Sequence, residues 1–486
     1  MQNNVLNYLK QSVEKKPNKI AYSDGVESLT FQEVYVQSQK IGSFFCSLGI
    51  YKKPIVVFMK KSPQEIAAFF GAVWGGNFYV PIDEEMPIGR IQLILNNVQS
   101  PIIICDETTY KATEHLELGA GEVVLYKDIL KTEINQAALE RVYHKAIDTD
   151  PIYIVFTSGS TGIPKGVVAC HRSVIDYIEQ LSEILEFSEN TVFGNQSPLY
   201  FDACLKELYP TLKFGATTYL IPKSCFLFPT KLVEFLNTHK VNTICWVVSA
   251  LTMVSSFGTF DTIKPQYLHT IAFGSEVFPI KQYLKWKEAV PNAVFTNLYG
   301  PTECTGMCCS YRIDRDFEAD EVIPIGYSFP NRELMLLTED GRLAKEGEQG
   351  EICVRGTALT LGYYNDKERT KESFVQNPLN PYYPELIYKT GDIGRYNAKG
   401  ELCFVSRKDF QIKHMGHRIE LGEVEVNVNM LSEVHLSACI YDSLKNKIVL
   451  FYVGDCDEQE LVLGLKQRLE LYTFLVRCCC LPVCHI

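Results

Sequence analysis

TSGSTGIPKG, residues 157–166, comes directly after the apolar run YIVF (153–156) and directly before VVACHRSVIDYIEQL (167–181). The flanks read as a strand on one side and a strand followed by a helix on the other. Gly159 and Gly162 let the backbone approach a phosphate closely and turn N–H groups toward its oxygens. Thr157, Ser158, Ser160 and Thr161 add hydroxyl donors, and Lys165 adds a cation. The stretch is not a Walker A loop, because Gly162 is followed by Ile-Pro rather than Lys-Ser/Thr, and it does not fit GxGxxG. On these residues alone, a phosphate-binding loop and a flexible Ser/Gly turn both remain open.

The surrounding chain alternates between strand and helix patterns. VLNYLKQSV (5–13) has one apolar helical face, and IAYSDG (20–25) reads as a strand and turn. A helix is expected over residues 29–48, starting after Ser28 or Thr30. SPQEIAAFFGAVWGG (62–76) reads as another helix, with Pro near its start. IVVFM (55–59), FYVPID (78–83), PIIICD (101–106) and VVLY (123–126) are continuous apolar strands. Such runs belong in parallel sheets covered on both faces. The fold class expected is therefore α/β. From about residue 320 the texture shifts to shorter strands, with hairpin turns at Asp340-Gly341 and Lys399-Gly400. The charged, Gly-containing segment 404–425 suggests a boundary near Asp409. This gives a large unit over residues 1–408 and a small one over 409–486.

Composition agrees with a soluble globular chain. Of 486 residues, 46% are apolar and 22% charged, which excludes a disordered chain, a collagen-like repeat and a coiled coil. Lys+Arg 47 against Asp+Glu 58 leaves −11, which argues against bulk nucleic-acid binding while allowing a local basic pocket for a nucleotide. The first residues are polar and lack a secretory apolar core, and no run is long enough to span a membrane. The 17 cysteines therefore read as reduced thiols of a cytoplasmic protein.

Taken together, the motifs resemble those of the adenylate-forming superfamily, which includes acyl-CoA ligases, luciferases and amino-acid adenylation domains. TSGSTGIPKG looks like its phosphate loop. In the family's order there follow or precede GNFYVPID (76–83), NLYGPTE (297–303), GEICVRGTALTLGYY (350–364), YKTGD (388–392) and RKDFQIKHMGHRIELGEVE (407–425). The resemblance runs over roughly residues 1–465 and implies two helix-flanked β-sheets plus a barrel-like β subdomain. A small α+β C-terminal unit, truncated and atypical after about residue 470, completes the expected fold.

The resemblance also implies chemistry. A carboxylate attacks the α-phosphorus of ATP and pyrophosphate leaves; two anions must meet, which calls for cations, a metal and backbone donors rather than a protein nucleophile. Thr157, Ser158, Gly159, Ser160, Thr161 and Gly162 would cradle phosphates, with Lys165 catalytic. Asn297, Leu298, Tyr299, Gly300, Pro301 and Thr302 form the adenine segment. Glu303 would be catalytic and the ligand of Mg²⁺, being a hard oxygen donor. Asp392 would accept from the ribose hydroxyls, with Arg407 reaching the same sugar. Asp409 stands at the hinge on which the family's small unit turns.

YFDACLKELYP (200–210) resembles the segment in which an aspartate holds the α-ammonium of an amino acid, and Asp202 occupies that place. An acyl substrate would leave this carboxylate unpaired. The alternative for Asp202 is a helix N-cap. Lys206, four residues on, is either an i,i+4 partner of Asp202 or a cation that selects an acidic side chain. Trp246, Phe273, Leu298, Gly306 and Met307 are further pocket candidates, and Glu276 either orders the pocket loop or caps a helix. The nearest likeness within the superfamily is to stand-alone D-alanine–carrier-protein ligases. The partners implied are an amino acid and a separate phosphopantetheinylated carrier protein, with no nucleic acid. The alternatives are a peptide-synthetase-type enzyme for another amino acid, an acyl-CoA ligase, or an impaired ATP-binding homologue.

The end of the chain departs from the pattern. The family carries a lysine near the end of its small unit, in a segment like Asn-Gly-Lys. LELYTFLVRCCCLPVCHI (469–486) has none, and instead holds Cys478, Cys479, Cys480 and Cys484. A frameshifted or misassembled tail, a natural degenerate homologue, and a Cys/His metal site of unusual spacing are the three readings of this end.

Overall fold

Of the two helix starts that the sequence offered at Ser28 and Thr30, the second is used. Thr30 caps the helix Phe31–Ser47: its side chain accepts from the Glu33 N–H at 3.2 Å, and the Glu33 carboxylate accepts from the Thr30 N–H at 2.8 Å. Ser62 caps the helix Pro63–Trp74 with Pro63 in the first turn, where its missing N–H is not needed. The computed structural model describes residues 2–159, 162–318, 321–408, 411–414, 417–442, 447–455, 457–466 and 476–480.

The continuous apolar runs become two largely parallel sheets. In one, Glu122–Leu125, Ile102–Cys105, Pro54–Phe58, Phe78–Ile82 and Pro151–Thr157 lie side by side in parallel, and Lys165–Cys170 closes the edge antiparallel. Every residue of Pro54–Phe58 and Phe78–Ile82 is buried, as expected where helices cover both faces. The second sheet has nine strands. Val294–Tyr299, Thr270–Gly274, Thr243–Val247, Val192–Asn195, Thr217–Leu220 and Ile20–Ser23 form its parallel centre, with antiparallel strands at both edges.

The expected barrel-like unit is a five-stranded antiparallel sheet. Its Lys399-Gly400 turn joins Leu386–Tyr396 to Leu402–Arg407 as a hairpin. The Asp340-Gly341 turn also forms, with Gly341 at φ +80°, but the strands Arg332–Leu337 and Gly350–Gly356 pair across the longer connection 338–349. The small unit holds the hairpin Gln411–His414/His417–Glu420, the helix Leu421–Asn429 and the antiparallel pair Val434–Asp442 and Lys447–Gly454. Val476–Cys480, from the cysteine-rich tail, adds a parallel strand beside Lys447–Gly454. Cys204, Cys304 and Cys353 are buried free thiols that pack into the cores. No described helix is long and apolar enough to cross a membrane.

Two glycines set how closely the first sheet's helices cross. A Cβ on Gly71 would lie 2.5 Å from Ile41 Cβ, and one on Gly42 would lie 2.6 Å from Trp74 Cβ. Neither neighbour is the loose end of a flexible side chain. Gly71→Ala is therefore expected to cost about 1–3 kcal/mol by overpacking, read as a lowered urea midpoint. An unchanged midpoint would show that the crossing has room to spare.

Candidate functional site

The phosphate-loop candidate lies between two strands of one sheet. Thr157 sits opposite Lys165 in antiparallel register, so residues 158–164 form the connection between them. Gly162 has φ +77°, and a Cβ on Gly159 would stand 2.1 Å from the Ile163 carbonyl oxygen, so only glycine fits this bend. Ser160 and Thr161 lie outside the described residues, as does Asp409. The Thr157 hydroxyl is buried and, among the described residues, without a hydrogen-bond partner, at the wall of a cleft of about 970 Å³ that opens to solvent.

Asp202, Thr157, Ser158, Gly300, Asp392 and Arg407 all face this cleft. Residues drawn from five separate stretches of sequence thus converge on one space. The connections after Pro151–Thr157 and Val192–Asn195 open at the carboxyl ends of their strands, the usual place for a ligand in open α/β sheets.

Glu303 is wholly buried, at the start of a sharp turn that continues through Thr305 (φ +55°) and Gly306 (φ +82°). Its carboxylate accepts from the Tyr363 hydroxyl at 2.7 Å and from Arg418 Nη1 at 2.8 Å. Burial pushes its pKa up, but the Arg418 guanidinium and then the Lys165 ammonium more than offset that and hold it at about 2. Lys165 Nζ in turn lies 3.1 Å from Glu420 Oε1. Burial, reinforced by Arg418, pulls the Lys165 pKa down while Glu303 and Glu420 oppose it.

At the far wall, Asp392 stands opposite Arg407 in the strand pair and is ion-paired with it. It also accepts from the Tyr299 hydroxyl at 2.5 Å. Lys413 Nζ lies 5.5 Å from the centre of the Tyr299 ring. Asn297 is turned away and donates to the Pro324 carbonyl at 2.8 Å; Leu298 is buried, and Pro301 and Thr302 line the cleft.

Asp202 begins the short 3₁₀ turn Asp202–Cys204, and the helix Leu205–Phe214 that follows has no side-chain cap. Its carboxyl instead meets the Thr302 hydroxyl. Burial raises its pKa, with Lys206 and Thr302 pulling the other way. Lys206 is buried and near enough to act on Asp202 electrostatically, but among the described residues it closes no ion pair with it. Lys206, Trp246, Phe273 and Gly306 are not among the residues facing the cleft, whereas Met307 is. The Trp246 indole N–H donates to the Gly194 carbonyl at 2.7 Å, and Phe273 packs edge-on to Phe278 at 4.9 Å. Gly306 leaves room for the Tyr177 ring, which a Cβ would approach to 2.9 Å. Glu276 accepts from the Ser249 N–H at 2.7 Å, at the start of the helix Val248–Ser256.

Lys413, His417 and Arg418 of the hairpin Gln411–His414/His417–Glu420 line this site from the small unit. Besides the pairs already given, the Arg418 carbonyl accepts from the Ser158 hydroxyl at 2.7 Å, and Glu423 pairs with Arg90 at 3.0 Å. Arg418, Lys413 and Tyr363 lie inside motifs quoted above, yet no local pattern singles them out. Only the fold shows that they meet Glu303 and Tyr299.

Comparison with known proteins agrees with this geometry. Residues 9–364 match the family described as AMP-binding enzyme. The chain is 30% identical over 441 residues to a D-alanine--D-alanyl carrier protein ligase of Bacillus licheniformis, covering 89% of this chain and 84% of that one. It is 31% identical over 416 residues to gramicidin S synthase 1 of Brevibacillus brevis, of which it spans 36%. Among solved structures, an adenylation domain of Vibrio cholerae in complex with glycyl-adenosine-5'-phosphate superposes with a TM-score of 0.85 at 22% identity, covering 98% of this chain and 94% of that one. The o-succinylbenzoate CoA synthetase of Bacillus subtilis superposes at 0.82 with 20% identity, covering 97% and 93%, so aminoacyl and acyl enzymes share this fold. With its cleft, its phosphate-loop candidate and this match over most of its length, the chain belongs to the AMP-binding enzyme family of adenylate-forming ligases.

Proposed function

We propose that this protein activates an amino acid with ATP as the aminoacyl-adenylate and passes it to the phosphopantetheine thiol of a separate carrier protein, in the cytoplasm. The observation that carries the amino-acid reading is Asp202, a carboxylate facing the same cleft as the phosphate loop, Asp392 and Arg407. A substrate ammonium there would form a charge-assisted pair, and a fatty acyl chain would leave the carboxylate stranded. The ligase of Bacillus licheniformis supports D-alanine as the first substrate to try.

In the first half-reaction the substrate carboxylate oxygen bonds to the α-phosphorus, and the bond to the bridging oxygen of the β-phosphate breaks. Thr157, Ser158, Gly159 and Lys165, with Ser160 and Thr161, would hold the departing phosphates. Asp392 and Arg407 would seat the ribose, and Tyr299 the adenine. Glu303 fits Mg²⁺: it is an oxygen donor that stays ionised above a pKa of about 2. When bound, the ion neutralises phosphate charge. In the second half-reaction the carrier thiol attacks the carbonyl and AMP leaves.

The hairpin Gln411–Glu420 holds the groups that ATP and its metal would need. Arg418 stands against Glu303, and Glu420 against Lys165. We infer that units 1–408 and 409–486 turn about Asp409 to exchange these contacts for nucleotide. The segment 469–486 departs from the family's pattern and carries no lysine, which favours a second reading, an enzyme that binds ATP but adenylates weakly.

Amino-acid-dependent ATP–pyrophosphate exchange with D-Ala, L-Ala and L-Glu tests the main reading. Exchange with a fatty acid only would replace it, and ATP binding without any exchange would establish the second. Asp202→Ala is expected to lower exchange about 100-fold through the amino-acid KM, because an ammonium loses its buried partner; unchanged activity would remove its role. Arg418→Ala is expected to lower the KM for ATP about threefold by freeing Glu303. An unchanged or higher KM would refute the competition.

A further inference from the structure

Lys61 lies three residues past the strand Pro54–Phe58 of the six-stranded sheet, yet its ammonium reaches the nine-stranded one. Nζ donates to the carbonyl oxygens of Ser197, Gln196 and Asn195 at 3.0, 3.4 and 3.5 Å. An ammonium has three N–H donors, and here three successive carbonyls face them. Asn195 ends the strand Val192–Asn195. Gln196, Ser197 and Pro198 then run along the cleft toward Asp202. The same turn is held from its other side, where Asn195 Nδ2 donates to Glu207 Oε2 at 3.2 Å.

Ammonium-to-carbonyl bonds are charge-assisted and stronger than neutral ones. Removing the ammonium would strand carbonyls at the end of a buried strand, and the nearest relief is for residues 196–201 to swing away. That movement would carry Asp202 with it. Burial pulls the Lys61 ammonium down to about 8, with Glu207, Cys204 and Glu65 acting to raise it and Lys223 to lower it, so it is charged at neutral pH.

We propose that Lys61 is the positioning residue of the amino-acid subsite: by tying the carbonyls of residues 195–197 to the neighbouring sheet, it sets where Asp202 meets the substrate ammonium. The ligand readout rests on the amino-acid reading above; the segment's own readout does not.

Lys61→Met, Lys61→Gln and Lys61→Arg, made in the full chain, test this with two measurements. Calorimetry uses alanyl-sulfamoyl-adenosine and AMP as probes. Met and Gln are expected to weaken the alanyl probe about tenfold with AMP unchanged, and Arg is expected to restore most of the loss. Hydrogen exchange without ligand is expected to speed up over residues 196–203 in Met and Gln, but not in the phosphate loop. Should Met fail to fold, Gln carries the same contrast. Wild-type probe affinity together with wild-type exchange overturns the proposal, as does an equal loss of both probes. If the unaltered protein binds AMP and no alanyl probe, alanine falls as the substrate, and hydrogen exchange over 196–203 still decides the role of Lys61.

Discussion

Glu303 has no exposed surface, and a carboxylate in that position would take up a proton if burial acted alone. It remains an anion because Arg418, Lys165 and the Tyr363 hydroxyl converge on it. These three come from the small unit's hairpin, from the edge strand of the six-stranded sheet, and from the chain running into the five-stranded sheet. Glu303 itself follows the strand Val294–Tyr299, the last of the parallel block in the nine-stranded sheet. One buried charge thus makes a common demand on four parts of the molecule, and the cleft is the space left where they meet.

The same electrostatics describe how the site can change state. Anions and cations around the cleft are matched with one another: Glu303 with Arg418, Lys165 with Glu420, Asp392 with Arg407. Under the proposed function, a nucleotide would bring negative charge and its metal positive charge, so each could replace one side of these pairs without leaving a buried ion alone. Exchange of one full set of partners for another lets a buried ionic site be refilled at small net cost, whereas removal of single partners is expensive.

Backbone geometry supplies the other half of the site. Thr157 and Asn195 each end a strand, and the chain leaves both sheets toward the same cleft. On one side Gly159 and Gly162 permit a bend that a Cβ would block. On the other, an ammonium from the first sheet holds the carbonyls with which the second sheet ends. The two sheets are therefore joined by polar contacts at their ligand-facing ends as well as by a shared apolar core.

Much of this was legible in the chain before folding. Continuous apolar runs announced covered parallel sheets, a start at Ser28 or Thr30 and a proline at residue 63 announced helices, and the motifs around Lys165, Asp202, Glu303, Asp392 and Arg407 announced the family. These signals are local, because caps, strand runs and tight loops depend on residues a few positions apart. The partners were not legible. Arg418 meets Glu303 across 115 residues, and Lys61 meets Ser197 across 136. Nor could alternation along Thr243–Val247 or Thr270–Gly274 tell which face Trp246 or Phe273 would take, since both faces of those strands are buried. The sequence by itself determined the element types, the order of the sheets' strands along the chain and the family. Only the tertiary structure decided which charges neutralise one another and which side chains reach the cleft, because Coulomb pairing and burial act through distances in space that no local spacing encodes.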